Sequence, residues 1–167
     1  IAEYNGVAKV SHIREKITDM AISADICYAA ALGACWEAHE TPSGIYHPDV
    51  SLANSARYRC IQGWLEAEHL LSDIAGGLAF TMPSEKDLRD PVLGKYLDKY
   101  LKGVDGVSVE DRMRMFRLIQ IMVTEPKGHP YICAGGSPEP HRIFIYRNID
   151  LEGKKKLAKD IAGICGG

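Results

Sequence analysis

The stretch SHIREKITDMAISADICYAAALGACW, residues 11–36, decides the fold. Its apolar residues fall at Ile13, Ile17, Met20, Ala24, Cys27, Ala31 and Cys35, in alternating steps of four and three. That spacing draws one stripe down one side of an α-helix and would scatter over both faces of a strand. Ser11 is the expected N-cap, and Thr-Pro-Ser-Gly at residues 41–44 is the expected stop, giving a stripe about thirty residues long.

The same period returns at Ala53, Ala56, Cys60, Trp64, Ala67, Leu71 and Ile74, and it ends at Gly76 and Gly77. Two long antiparallel helices follow from the two stripes. DPVLGKYLDKYLKG, residues 90–103, reads as a shorter amphipathic helix with Asp90 as N-cap, Pro91 in its first turn and Gly103 as its end. SVED at residues 108–111 has the form of a capping box and opens a helix through RMRMFRLIQIMV to Pro126. Residues 127–140 carry three glycines and three prolines and are expected to be loop, followed by HRIFIYR and a Lys-rich final helix over residues 151–164. The expected architecture is all-α, an antiparallel helical bundle over residues 1–167, with no internal repeat and no linker between two domains.

Composition narrows the function classes. A chain of 167 residues, 46% hydrophobic and 25% charged, is large enough to bury roughly 70% of its unfolded surface in one domain. Twenty basic against twenty-two acidic residues, net −2, leave no basic footprint for nucleic acid. The longest uncharged apolar run, residues 26–36, has eleven residues, short of the roughly 18 that a membrane span needs, so no membrane partner is expected. Cys27, Cys35, Cys60, Cys133 and Cys165 are odd in number and widely spread, which argues against a disulfide framework and for a reducing, cytoplasmic setting. Their places on apolar helical stripes mark Cys27, Cys35 and Cys60 as buried packing thiols. The chain opens at Ile1 without a methionine, as expected of the C-terminal part of something longer.

Two glycine-rich loops stand between helices, IAGGLAFTMPSE and CAGGSPEPHR. Gly76 or Gly77 can close a helix in the left-handed conformation, with Pro83 preventing resumption. Bare glycine backbone also lets a ligand approach closely, and its N–H groups can bond phosphate oxygens. Arg112, Arg114 and Arg117 can clamp a phosphate or simply form the solvated side of an amphipathic helix.

The ordered set SHIREKITDM, TPSGIYHPDVSLANSARY, DIAGGLAFTMPSE, EDRMRMFRLIQ, GGSPEPHR and KKKLAKDIAGI resembles the C-terminal helical domain of the 4-hydroxybutyryl-CoA dehydratase and vinylacetyl-CoA isomerase family. More distantly it is similar to the 4-hydroxyphenylacetate 3-hydroxylases. The resemblance implies an acyl-CoA-dehydrogenase-like fold of which this is the last helical domain, an FAD cofactor shared with other domains or subunits, and a homo-oligomer, dimer or tetramer. It implies an acyl-CoA or phenolic small-molecule substrate. It assigns Gly76, Gly77, Thr81, Pro83 and Ser84 to FAD, and Gly135, Gly136 and Ser137 to the substrate side. In the family's active-site loop Pro130 and Cys133 stand here where an acidic residue and a His are expected, leaving His129 as the candidate base. A loop His beside proline is otherwise a solvated one.

In the dehydratases an iron-sulphur cluster acts as Lewis acid at the leaving hydroxyl while flavin takes up and returns an electron. The cluster's expected ligands match no residue of this chain, so it would be held outside it. A monooxygenase, which needs no cluster, is the alternative flavin chemistry. A helical oligomerisation module without catalysis is the non-enzymatic one.

Overall fold

The structure, a computed structural model, describes residues 1–124 and 138–164. An N-terminal arm of successive turns leads into α1 (Ser11–Trp36), a two-stranded hairpin of β1 (His39–Glu40) and β2 (Tyr46–His47), and α2 (Val50–Ala75). Short helices α3 (Leu78–Thr81), α4 (Glu85–Arg89) and α5 (Leu93–Tyr100) follow, then α6 (Val109–Thr124), α7 (Pro138–Asn148) and α8 (Leu151–Ile161). The all-α bundle is confirmed.

The stripes at the start of the chain become the pair α1 and α2, each of 26 residues. Contacts descend one helix as they climb the other: Gly33 meets Leu52, Cys27 Sγ lies 3.4 Å from the Ala56 carbonyl, Ser23 meets Gly63, and Lys16 pairs with Asp73. A Cβ at Gly63 would sit 2.2 Å from Ser23 Oγ, so glycine there sets how closely the helices approach. By length and composition α1, with mean hydropathy 1.2 over its most apolar window, also satisfies the requirement for a membrane span, a property the eleven-residue run did not reveal. Here it is one half of the antiparallel pair.

Several sequence expectations are corrected. Ser11 is not the N-cap but the first helical residue; Val10 precedes it in extended conformation with no side-chain cap. The arm supplies the start instead, because Val10 N–H bonds the Val7 carbonyl and Arg14 N–H bonds that of Val10. α1 ends at Trp36, before the 41–44 turn, and the intervening residues pair in the hairpin, whose two-residue strands are too short to show alternation. Thr41 Oγ1 bridges to Ile45 through its carbonyl at 2.8 Å and its N–H at 3.2 Å, and Gly44 takes φ 81° to close the turn.

Asp49 caps α2 by accepting from Leu52 N–H at 2.7 Å. The helix expected over residues 90–103 is shorter: Val92 rather than Asp90 holds the N-cap position, Pro91 lies ahead of α5, and α5 ends at Tyr100 rather than at Gly103. Asp90 accepts from Leu93 and Val92 N–H at 2.9 and 2.8 Å, bonds that hold its carboxyl below the usual range. The box at Ser108 is present: Ser108 Oγ donates to Asp111 Oδ2 at 2.7 Å and accepts from Asp111 N–H at 3.0 Å. The expected loop over 127–140 gives way at Pro138, where α7 begins with Pro140 in its first turn. Both prolines fall where a helix has no intrahelical use for the missing N–H. The last helix stops at Ile161 rather than at residue 164.

The core gathers at one end of the long pair. Phe116 and Ile119 of α6 close on Ala75 and Ala79, which flank the glycine pair, with Leu71, Leu78, Met82, Val123 and Ile1 around them. Ala2, Ile13 and Ile74 form an adjoining cluster. Along α1, by contrast, Ile17, Ile22, Ile26, Tyr28 and Leu32 are exposed, and Trp36 is 87% exposed.

A glycine turn and an arginine-lined cleft as candidate functional site

α2 ends at Gly76, which takes φ 68° and donates its N–H to the Ser72 carbonyl at 2.8 Å. That conformation accounts for glycine at position 76, where an L side chain is disfavoured. Gly77 is different. At φ −58° and ψ −25° its backbone suits any residue, and a Cβ there would meet no atom of the chain within 4 Å. Helix termination therefore explains Gly76, while nothing in the described residues requires Gly77. Both are exposed, and both are anchored by buried alanines, Ala75 before them and Ala79 after.

The neighbouring hydroxyls are committed locally. Thr81 Oγ1 donates to the Gly77 carbonyl at 3.0 Å, and Ser84 Oγ caps α4 while donating to Asp87 Oδ2 at 2.8 Å. The turn thus presents bare backbone rather than side-chain donors. Beyond it Met82 and Pro83 form one wall of a cleft of about 210 Å³, completed by Glu85, Leu88, Glu110, Met113, Arg114 and Arg117. Of the residues assigned to the flavin from the sequence, the structure brings Gly76, Gly77 and Thr81 into one turn, Pro83 into the cleft wall and Ser84 beside it.

The three arginines of α6 separate into different roles. Arg112 turns inward: its guanidinium donates to the Leu101 carbonyl at 2.6 Å and to Asn5 Oδ1 at 2.8 and 3.3 Å, and lies 5.2 Å over the Phe116 ring. Burial lowers its pKa, and its work is structural. Arg114 pairs with Glu110 at 2.6 Å, and Arg117 meets the side-chain carbonyl of Gln120; both line the cleft and are exposed.

A polar ladder between α2 and α7 was not foreseen from the sequence. His141 Nδ1 lies 2.8 Å from Asn54 Oδ1, and Arg142 donates to the Tyr58 hydroxyl at 2.5 Å with its guanidinium 5.0 Å over that ring. Asn54 and Tyr58 are one helical turn apart, but no local signal couples them to residues 84 or more positions away. His129, Gly135, Gly136 and Ser137, with Pro130 and Cys133, lie outside the described residues.

The thiols are less buried than their stripes implied. Cys35 is exposed, and Cys27 and Cys60 are half-buried beside Trp64 and Tyr28 in a groove of about 470 Å³ between α1 and α2. Helical period marks the side facing α2, but not whether anything covers the groove between the two helices; Ala34, one residue before Cys35, is buried where Asp49 N–H bonds its carbonyl at 3.0 Å. Burial, with Cys60 adjacent, pushes the Cys27 thiol up. Among the described residues no three His, Cys, Asp or Glu side chains gather as a metal site would require.

Fold and turn together define a class: an all-α domain on a long antiparallel helix pair, with an exposed glycine turn held over its core. Residues 1–163 match the family described as "HpaB: 4-hydroxyphenylacetate 3-hydroxylase C terminal", and the chain belongs to it. Across 98% of its length it is 32% identical to the 4-hydroxybutyryl-CoA dehydratase/vinylacetyl-CoA-Delta-isomerase of Clostridium aminobutyricum, covering 36% of that protein. An oxygen-tolerant archaeal 4-hydroxybutyryl-CoA dehydratase from N. maritimus superposes with a TM-score of 0.90 at 41% identity, over 99% of this chain and 34% of that one. The oxygenase component of 4-hydroxyphenylacetate 3-monooxygenase complexed with FAD superposes at 0.85 with 26% identity, over 96% and 34%. The chain thus spans about a third of the length of these relatives, all of which are enzymes.

Proposed function

We propose that this chain is the C-terminal helical domain of a flavin-dependent dehydratase and isomerase acting on a short hydroxyacyl-CoA, in which it forms one wall of the FAD site. The observation favouring this chemistry over hydroxylation is the gap between 41% identity with the archaeal dehydratase and 26% with the FAD-bound oxygenase at near-equal coverage. The FAD-complexed oxygenase supports a flavin for either reading. FAD, when bound, supplies reversible one-electron chemistry at the substrate. The 76–77 turn offers close backbone approach to the cofactor, and the alanines on either side keep that turn in place. An iron-sulphur cluster, if the parent enzyme carries one, is held outside this chain. The full-length protein should convert 4-hydroxybutyryl-CoA under anaerobic conditions. Hydroxylation of 4-hydroxyphenylacetate with reduced flavin, and no turnover of the thioester, would give the function to the monooxygenase reading.

Gly77→Val isolates the flavin contact. Its Cβ meets nothing within the chain and φ −58° suits valine, so the fold should be kept. A side chain forced into a close contact costs about 1–3 kcal/mol, which corresponds to roughly ten- to hundredfold weaker FAD binding. Equilibrium titration of the full-length variant reads this directly, and wild-type affinity would remove the flavin from this turn.

Association belongs to the same reading. Tyr28 and Trp36 are 68% and 87% exposed, so they are not the core of a lone bundle, and with Ile22, Ile26 and Leu32 they leave α1 an apolar surface suited to a second copy. Sedimentation at micromolar concentration should show a species larger than the 18.4 kDa chain. A sharp monomer would reject association through α1.

A further inference from the structure

We propose that Cys27 and Cys60 are a covalent modification site, forming a reversible disulfide between α1 and α2 when the protein meets hydrogen peroxide. The two residues stand opposite each other in the helix pair. Ser23 meets Gly63 on one side of them and Gly33 meets Leu52 on the other, so the antiparallel register sets residue 27 against the turn of α2 that holds Ala56 and Cys60. The contact is seen directly. Cys27 Sγ lies 3.4 Å from the Ala56 carbonyl, and the Cys60 thiol, one turn further along, is close enough to hydrogen-bond with it.

A disulfide needs its two Cα atoms within about 7 Å, which demands closely packed helices. Gly63 supplies that packing here. Its missing side chain leaves the space that Ser23 Oγ occupies, and this contact lies about one turn from each cysteine. Neither thiol is sealed away. Both are half-buried in the groove of about 470 Å³ that they share with Met20, Tyr28 and Trp64, ample for a molecule of the size of water or peroxide. Burial raises the Cys27 pKa, with the Cys60 thiol adding to the shift and Arg59 opposing it, so the reaction should quicken as pH rises and thiolate forms.

The chemistry closes on the two thiols and one peroxide. One thiolate attacks a peroxide oxygen, the O–O bond breaks, and a sulfenic acid and one water result. The second thiol then attacks that sulfur: the S–S bond forms, the S–O bond breaks, and the hydroxyl leaves as a second water with the thiol's proton. Two electrons pass from the cysteines to the peroxide. The product ties α1 to α2 on the hairpin side of the Ser23–Gly63 contact and closes a loop of chain that contains the hairpin.

The test treats the full-length protein with a small molar excess of hydrogen peroxide, alkylates the remaining thiols and maps the peptides by mass before and after reduction. The expected product joins the Cys27 and Cys60 peptides, is lighter by two hydrogens and is undone by dithiothreitol. It should exceed any disulfide to exposed Cys35 by about tenfold or more, because thiols held in contact need not find each other. Cys27→Ser and Cys60→Ser should each abolish the joined pair, while Cys35→Ser keeps it. Oxidation should raise the melting temperature of the wild type and leave that of both Ser variants at position 27 or 60 unchanged, since only a cross-link restricts the unfolded chain. Cys27 and Cys60 that remain fully open to alkylation after peroxide would overturn the proposal. So would oxidation that runs on to sulfinic acid at either residue without a disulfide, or a disulfide from either one to a different cysteine.

Discussion

Phe116→Ala should cost about 3–5 kcal/mol of stability, the range for removing an aromatic ring from a filled core. Phe116 is fully buried and joins α6 to both alanines that brace the glycine turn. With total stability of a domain at about 5–15 kcal/mol, the variant should be near the edge of folding. Urea denaturation checks the size, and a loss below about 1 kcal/mol would mean the cluster is not the centre of the fold. The change also removes the ring beneath the Arg112 guanidinium, 5.2 Å away, so the arm and α5 that Arg112 gathers should loosen with it.

Gly103→Ala should be the most damaging single-methyl change on the surface side of the molecule. Its Cβ would stand 2.3 Å from the Tyr4 carbonyl oxygen and 3.0 Å from Arg112 Cδ and Nε. A backbone oxygen cannot rotate away as a side chain can, so the arm must move, at a cost of about 1–3 kcal/mol. The arm carries Ile1 and Ala2 into the two core clusters, which extends the damage inward. Gly106→Ala is the matched control: its Cβ meets nothing within 4 Å, and at φ 87° the penalty is conformational, about 1 kcal/mol. Protease should nick residues 1–10 faster in Gly103→Ala than in Gly106→Ala. Equal destabilisation of the two variants would show that the arm does not press on Gly103.

The parts of this fold written in local sequence were legible in it. The stripes of α1 and α2, the stop at Gly76 and the Ser108 box each depend on residues within a few positions of one another. What escaped depends on distant neighbours. Ser11 has the chemistry of a cap, but the arm's own turns occupy that place. The same period that drew the α1 stripe said nothing about how much of it α2 covers, so Cys35 was expected inside and is exposed. At the site, sequence marked both glycines alike, and only the backbone angles and the empty space around Gly77 separate a helix stop from a position free to receive a ligand. The split of Arg112 from Arg114 and Arg117 follows from Asn5 and Leu101, one of them 107 residues away in the chain.

The crowding of the core at one end of the helix pair gives the molecule a clamped end and a free end. Around Ile74, Ala79, Phe116 and Ile119, opening the backbone requires breaking the whole packed cluster, so amides there report global unfolding. At the other end Trp36, Ile45 and Tyr46 are 87%, 66% and 70% exposed, and the hairpin is held by a two-residue ladder and the exposed Thr41–Ile45 bonds of its turn. That end can open and close many times while the rest stays folded. The hairpin is thus free to adapt its shape to a neighbour without disturbing the glycine turn, which keeps the rigidity of the strongest part of the domain.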